Sequence, residues 1–207
     1  MGSTPIKVFC YDLNFSRVGD KPDQVVPSMA HDWAFLDPQE YFDFHVEMGN
    51  IAMFCRAYTF GDYAFYPTEL GPTAPGPGRD FLPRLYELAQ KAGMPFWSYL
   101  CSGTDLNVAN KRWDWLIPTS REQNSGAGFL APESGWTDLL CARIAELVKE
   151  FPVDWIVFDW FTYGGCSPGF AVQPASFVEE NFKSIMGREM PNTGAEITED
   201  ESLDYTR

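Results

Sequence analysis

The sequence predicts an α/β fold of repeated strand–helix units, and three observations carry that reading. Four short runs, Ile6–Tyr11 (IKVFCY), Ile51–Arg56 (IAMFCR), Pro95–Cys101 (PFWSYLC) and Asp154–Asp159 (DWIVFD), are apolar almost throughout. Parallel strands covered on both faces read that way, whereas strands with one wet face alternate. Amphipathic helical patterns fill the intervals between the runs. Helix, glycine stop and strand follow in quick succession in EMGNIAMFC and KAGMPFWSYLC, the punctuation of a βα repeat. Such alternation admits a (β/α)8 barrel or an open doubly wound sheet. No GxGxxG, and no GxxxxGK followed by Ser or Thr, comes after a strand, which weighs against a nucleotide-binding sheet.

The helices follow from spacing and end signals. Pro38–Met48 opens after Asp37, an N-cap, and stops at Gly49. Asp80–Ala92 sets Phe81, Leu82, Leu85, Leu88 and Ala89 on one stripe and stops at Gly93. Trp136–Phe151 carries Leu139, Leu140, Ile144, Leu147, Val148 and Phe151, with Ser134 or Gly135 at its start. Phe177–Met186 reads as a fourth helix after Pro174, and Thr198–Glu201 is a capping box that opens another. Arg207 arrives barely two turns later, whereas a barrel takes about 250 residues. The expectation is one α/β domain over 1–207, the first four to five βα units of a (β/α)8 barrel. Residues 188–207 read as an acidic linker and the start of a cut-off helix. A half-barrel leaves sheet edges and apolar helix faces open. Association is therefore expected, as a homo-oligomer or with a missing C-terminal half.

Composition narrows the function classes. The 207 residues are 45% hydrophobic and 16% aromatic, enough to fill a core. Acids outnumber bases 29 to 15, a formal charge of −14. A phosphate backbone or an anionic membrane repels such a surface, so neither nucleic acid nor membrane is an expected partner. A neutral polar ligand fits better. Cys10, Cys55, Cys101, Cys141 and Cys166 are odd in number and scattered through apolar segments, with no spacing for zinc. They read as buried thiols of a reducing cytoplasm. MGSTPIKVF is not a signal peptide, and no apolar run reaches membrane-spanning length. No cofactor and no metal are expected.

Long segments follow every strand and short ones lead into the next, so the elaborated surface lies at the carboxyl ends of the strands. That rim would hold Tyr11, Asp12 and Asn14 after the first strand, and Arg56 and Tyr58 after the second. Tyr99 and Ser102 follow the third, and Asp159, Trp160 and Tyr163 the fourth. Carboxylates, a guanidinium and aromatics converging on one mouth form the lining of a polar small-molecule site. Asp159 closes a run that reads as a buried strand, and an unpaired buried carboxylate costs several kcal/mol. An arginine nearby would keep it ionised while burial pushes the other way. Each residue also has an ordinary structural role open to it. Asp12 can cap a turn, and Arg56 can serve as counter-ion to a buried acid. His31, in MAHDW, is a candidate ligand contact or a plain loop histidine. His45 lies among Tyr41, Phe44 and Met48 as a packed residue, and Glu133 in APESGW complements a helix dipole.

A longer block adds a resemblance. YAFYPTELGPTAPGPGRDFLPRLYELAQKAGMPFWSYLCSG is similar to glycoside hydrolases related to the α-L-fucosidase type of (β/α)8 barrel. It has their Tyr-Tyr-Pro-like loop after the second strand, then GRD before a helix, then a strand with a terminal Tyr. DLLCARIAELVKEFPVDWIVFDWF resembles their next helix and fourth strand, and FKSIMGREMP the segment after it. The resemblance implies a retaining glycosidase with Asp159 as nucleophile and the rim aromatics shaping a sugar pocket. It further implies an acid/base carboxyl about 5–5.5 Å away, which in similar barrels comes from a later strand or loop. Asp12 and Glu133 are the substitutes within this chain. The sequence departs at Trp155, where DWIVFD replaces the family-like DGIxFD. Two other classes stay open: a non-catalytic sugar-binding or scaffold half-barrel, and a (β/α)8 isomerase or lyase on a small polar substrate. The last would want a metal cluster or a strand-end lysine, and Lys7 begins its strand.

Overall fold

The computed structural model describes residues 7–10, 15–18, 21–27, 35–59, 63–116, 129–159 and 176–189. They group into two compact units: Met1–Cys101 with Ala142–Asp159, and Ser102–Cys141 with Trp160–Arg207.

The first unit is built on a parallel sheet of three strands in the order β3 (Met53–Arg56), β4 (Phe96–Cys101), β5 (Trp155–Asp159). Three of the four predicted runs are thus strands of one parallel sheet. The exception is Ile6–Tyr11: Lys7–Cys10 is not a strand, and residues 6 and 11 lie outside the described set. Its backbone is tied down all the same. Ile51 N–H donates to Lys7 O at 3.0 Å, and the Asn50 side chain accepts from Phe9 N–H (2.9 Å) and donates to Phe9 O (3.0 Å). The Asn50 amide thus occupies both backbone groups of Phe9, where a strand partner would otherwise bond. A second difference is an antiparallel hairpin, β1 (Phe15–Val18) and β2 (Lys21–Pro27), inside what reads from sequence as one long loop. Its residues alternate too poorly to announce it.

Helices α1 (Pro38–Glu47) and α2 (Phe81–Lys91) pack together beside the sheet. Asp37 caps α1 as expected, accepting from Gln39 N–H at 2.8 Å and Glu40 N–H at 3.0 Å. Helix α2 buries Phe81, Leu82, Leu85 and Ala89, the expected stripe with Leu88 at its margin. A fully buried leucine contributes about 1.5–3 kcal/mol, so this stripe anchors the unit. Asp80 ends a 3₁₀ turn over Gly76–Asp80 and makes no side-chain cap, so the helix starts one residue later than predicted. Gly49 (φ +74°) and Gly93 (φ +63°) close both helices in the left-handed region, where a Cβ is disfavoured.

In the second unit, α3 (Leu106–Lys111) is capped by Asp105, which accepts from Val108 N–H at 2.8 Å. This short helix was not legible in the sequence. Helix α4 (Gly135–Glu150) gives its first turns to this unit and the rest to the first unit. Ser134 caps it, accepting from Trp136 N–H at 3.2 Å. Trp136, Leu130 and Val108 form a small core with Trp115, Leu116, Leu139 and Leu140 against it. Helix α5 (Ser176–Met186) matches the predicted fourth helix, and the Thr198–Glu201 box lies outside the described residues. Among the described residues no helix is long and apolar enough to cross a membrane.

Candidate functional site

Strand register brings three of the expected rim residues together on one sheet face. Arg56 pairs with Tyr99, and Cys101 with Asp159. Asp159 therefore stands two residues, about 6.6 Å, farther along the strands than Tyr99. A tyrosine leaning along its strand spans that gap, and the Tyr99 hydroxyl donates to Asp159 Oδ2 at 2.9 Å. The Arg56 guanidinium lies over the Tyr99 ring, 3.7 Å from its centroid. The Phe54 ring, from the same face of β3, meets Tyr99 edge-on at 6.5 Å. Tyr99 and Arg56 are only 4% and 5% exposed. Burial holds the Tyr99 phenol well above its ordinary range. The hydrogen bond to Asp159 adds to that, while Arg56 pulls the other way. The phenol is therefore a proton donor to a carboxylate, not a phenolate.

Asp159 corrects one expectation. The run DWIVFD reads as a buried strand, yet β5 is the edge of the three-stranded sheet and Asp159 is exposed. Trp155, stacked at a tilt on Trp97 with centroids 5.5 Å apart, is 62% exposed on the same edge. No described strand lies beyond β5.

Tyr58 goes elsewhere than the rim reading places it. Its hydroxyl donates to Thr68 Oγ1 at 3.4 Å and lies 3.3 Å from the Tyr66 hydroxyl oxygen. Glu146 Oε2 takes both the Tyr66 hydroxyl (3.0 Å) and the Thr68 hydroxyl (2.6 Å). Arg143 stacks over the Tyr58 ring at 4.2 Å and donates Nε and Nη2 to Leu70 O at 3.2 and 3.1 Å. This cluster borders a cavity of about 450 Å³ lined by Tyr66, Pro67, Thr68, Glu69, Glu146, Glu150 and Phe151. Sequence reasoning missed it because Thr68 and Glu146 sit in a loop and mid-helix, with no strand-end signal.

Asp12, Asn14, His31, Trp160 and Tyr163 lie outside the described residues. Ser102 and Glu133 belong to the second unit, where the Ser102 carbonyl accepts from Trp136 Nε1 at 2.7 Å. His45 is fully buried, with Nδ1 2.7 Å from Tyr41 O and its ring stacked on Tyr41 at 4.1 Å. Among the described residues no cluster of His, Cys, Asp and Glu could hold a metal ion, and no disulfide forms.

No family model matches the chain. Nor does any curated protein sequence match it. Solved structures do. α-L-Fucosidase isoenzyme 2 from Paenibacillus thiaminolyticus matches at a TM-score of 0.65 and 15% identity, over 86% of this chain and 27% of its own. The Thermotoga maritima α-fucosidase matches at 0.46 and 23% identity, over 63% of this chain and 29% of its own. A hypothetical protein from Ruminiclostridium thermocellum matches at 0.49 and 16% identity, over 64% and 75% respectively. The chain spans about a quarter of the length of the two fucosidases. What the first likeness shows is the fold: these residues adopt an α-L-fucosidase-like glycoside hydrolase fold.

Proposed function

We propose that the chain forms the first βα units of a retaining glycoside hydrolase of the (β/α)8 type, with Asp159 as nucleophile. The observation that carries this is the Tyr99–Asp159 pair at the carboxyl end of adjacent parallel strands, at 2.9 Å. Barrel enzymes keep their chemistry at that end. The fold likeness to an α-L-fucosidase supports the same reading. Asp159 attacks the anomeric carbon and forms a glycosyl ester as the acid/base carboxyl protonates the departing oxygen. Water then releases the sugar with the acid/base acting as base. That second carboxyl comes from a βα unit beyond those described, about 5–5.5 Å from the nucleophile. Tyr99 orients the nucleophile by donating to one oxygen. This reading gives Asp12, Asn14, His31, Trp160 and Tyr163 the role of sugar contacts. Trp155 and the free edge of β5 are covered by the next parallel strand, supplied by the C-terminal half or by a second copy.

The test is covalent trapping. A 2-deoxy-2-fluoro-fucosyl fluoride should raise the intact mass by one sugar, with the ester on the Asp159 peptide. Asp159→Asn should lose both label and turnover of nitrophenyl fucoside while keeping its circular dichroism. Turnover surviving in Asp159→Asn, or a label on another residue, overturns the assignment. Fucose binding by calorimetry with neither label nor turnover favours a non-catalytic sugar-binding module.

A further inference from the structure

We infer that Arg56 is a positioning residue: it holds the Tyr99 ring, and through it the Asp159 carboxylate, instead of contacting substrate. The inference rests on the reading of Asp159 as nucleophile and deepens it. Arg56 is almost wholly buried, so little of it is left to meet a sugar. Its guanidinium carbon sits over the Tyr99 ring, 3.7 Å from the centroid, within reach of a cation–π contact. Backbone pairing fixes both residues at the root. They share a register position, and Ala57 N–H donates to Tyr99 O at 3.1 Å. With the Cα atoms fixed, the hydroxyl can leave Asp159 only by rotation of the Tyr99 side chain. The guanidinium on the ring face and Phe54 at its edge block that rotation. A counter-ion role for Arg56 would need only its charge, whereas a positioning role needs the plane of the guanidinium.

Arg56→Lys separates the two, because it keeps the charge and removes the plane. The protein is labelled with 3-fluorotyrosine, and the Tyr99 fluorine resonance is identified by its loss in Tyr99→Phe. In Arg56→Lys that resonance should shift and broaden while those of the other tyrosines stay in place. Arg56→Met, which keeps neither plane nor charge, should show the larger change and serves if the lysine variant does not fold. An unaltered Tyr99 resonance in either variant overturns the inference. This arm needs no turnover, so it decides Arg56 even if the glycosidase reading fails. Where the wild type turns over nitrophenyl fucoside, kcat in Arg56→Lys should fall on the order of tenfold to a hundredfold with KM unchanged. The double variant with Tyr99→Phe should fall no further than Tyr99→Phe alone. A raised KM at constant kcat would make Arg56 a substrate contact and also overturn the inference.

Discussion

Removing the carboxylate of Glu146 should cost the first unit about 3 kcal/mol, and the structure says how that divides. Two hydroxyls converge on Oε2, from Tyr66 at 3.0 Å and Thr68 at 2.6 Å. Hydrogen bonds to a charged acceptor contribute about 1.5–3 kcal/mol each. Because they share one oxygen and Glu146 is half-exposed, the low end applies to both. In Glu146→Leu the Tyr66 hydroxyl, on a residue 1% exposed, keeps only Tyr58 at 3.3 Å. Glu146→Gln retains a neutral oxygen acceptor, so about half the loss is expected, near 1.5 kcal/mol. Urea unfolding followed by tryptophan fluorescence measures both, with the slope against denaturant unchanged. Two results would refute the reasoning. Glu146→Leu within about 0.5 kcal/mol of wild type would mean the hydroxyls are equally well served by water. Gln costing as much as Leu would mean that the charge, and not the acceptor geometry, carries the whole effect.

Other expectations follow from single contacts. A Cβ on Gly135 would press well inside van der Waals contact of Trp115 Cζ2 and come to 3.0 Å from Cη2. Gly135→Ala should therefore destabilise by about 1–3 kcal/mol despite the better helix former, read as a lowered urea midpoint. Burial lowers the pKa of His45 from 6.5, opposed in part by its bond to Tyr41 O. The folded state thus binds fewer protons than the unfolded chain below 6.5. Stability is fully present above that pH and declines as pH falls toward the lowered folded value, by at most about 1.4 kcal/mol per unit. Melting temperatures between pH 7.5 and 5 should show that slope in wild type and less of it in His45→Phe. Asp37→Ala removes the two N-terminal hydrogen bonds of α1 and should cost about 1 kcal/mol, by the same urea assay.

The parallel strands were legible because nothing competes with them. IAMFCR, PFWSYLC and DWIVFD lack a polar alternation, and each carries a clear turn or helix signal on its flank. IKVFCY has a similar composition but meets Asn50, whose amide takes both backbone groups of Phe9. Side-chain mimicry of a backbone partner has no periodic signature. The hairpin Phe15–Val18 and Lys21–Pro27 was hidden for the converse reason: KPDQVVP begins with a proline, an aspartate and a lysine that argue against a strand. At the site, Arg56, Tyr99 and Asp159 could be named from strand ends alone. Their geometry could not be, since it depends on a register of two strand pairs. Tyr58 follows Arg56 by two residues and reads as part of the same rim, yet it lies past the end of β3. There the strand alternation that would aim it no longer applies, and the Thr68 and Tyr66 hydroxyls claim it instead.

The position of Asp159 bears on what its strand needs. Four of the five residues of β5 are apolar, and Trp155 and Phe158 are both exposed. Strands of that composition are stable when covered on both faces and paired on both sides. The polar residue at the carboxyl end is the one that tolerates exposure, and it accepts a hydrogen bond from the Tyr99 hydroxyl. Among the described residues Ile156 and Val157 are half-buried while Asp159 is exposed, so its burial does not organise the strand. Register and the Tyr99 hydroxyl thus both act on a carboxylate that is exposed among the described residues. Enclosure by a further strand would tighten that arrangement, since water competing for Asp159 would be displaced and the Tyr99 bond strengthened in the drier surroundings.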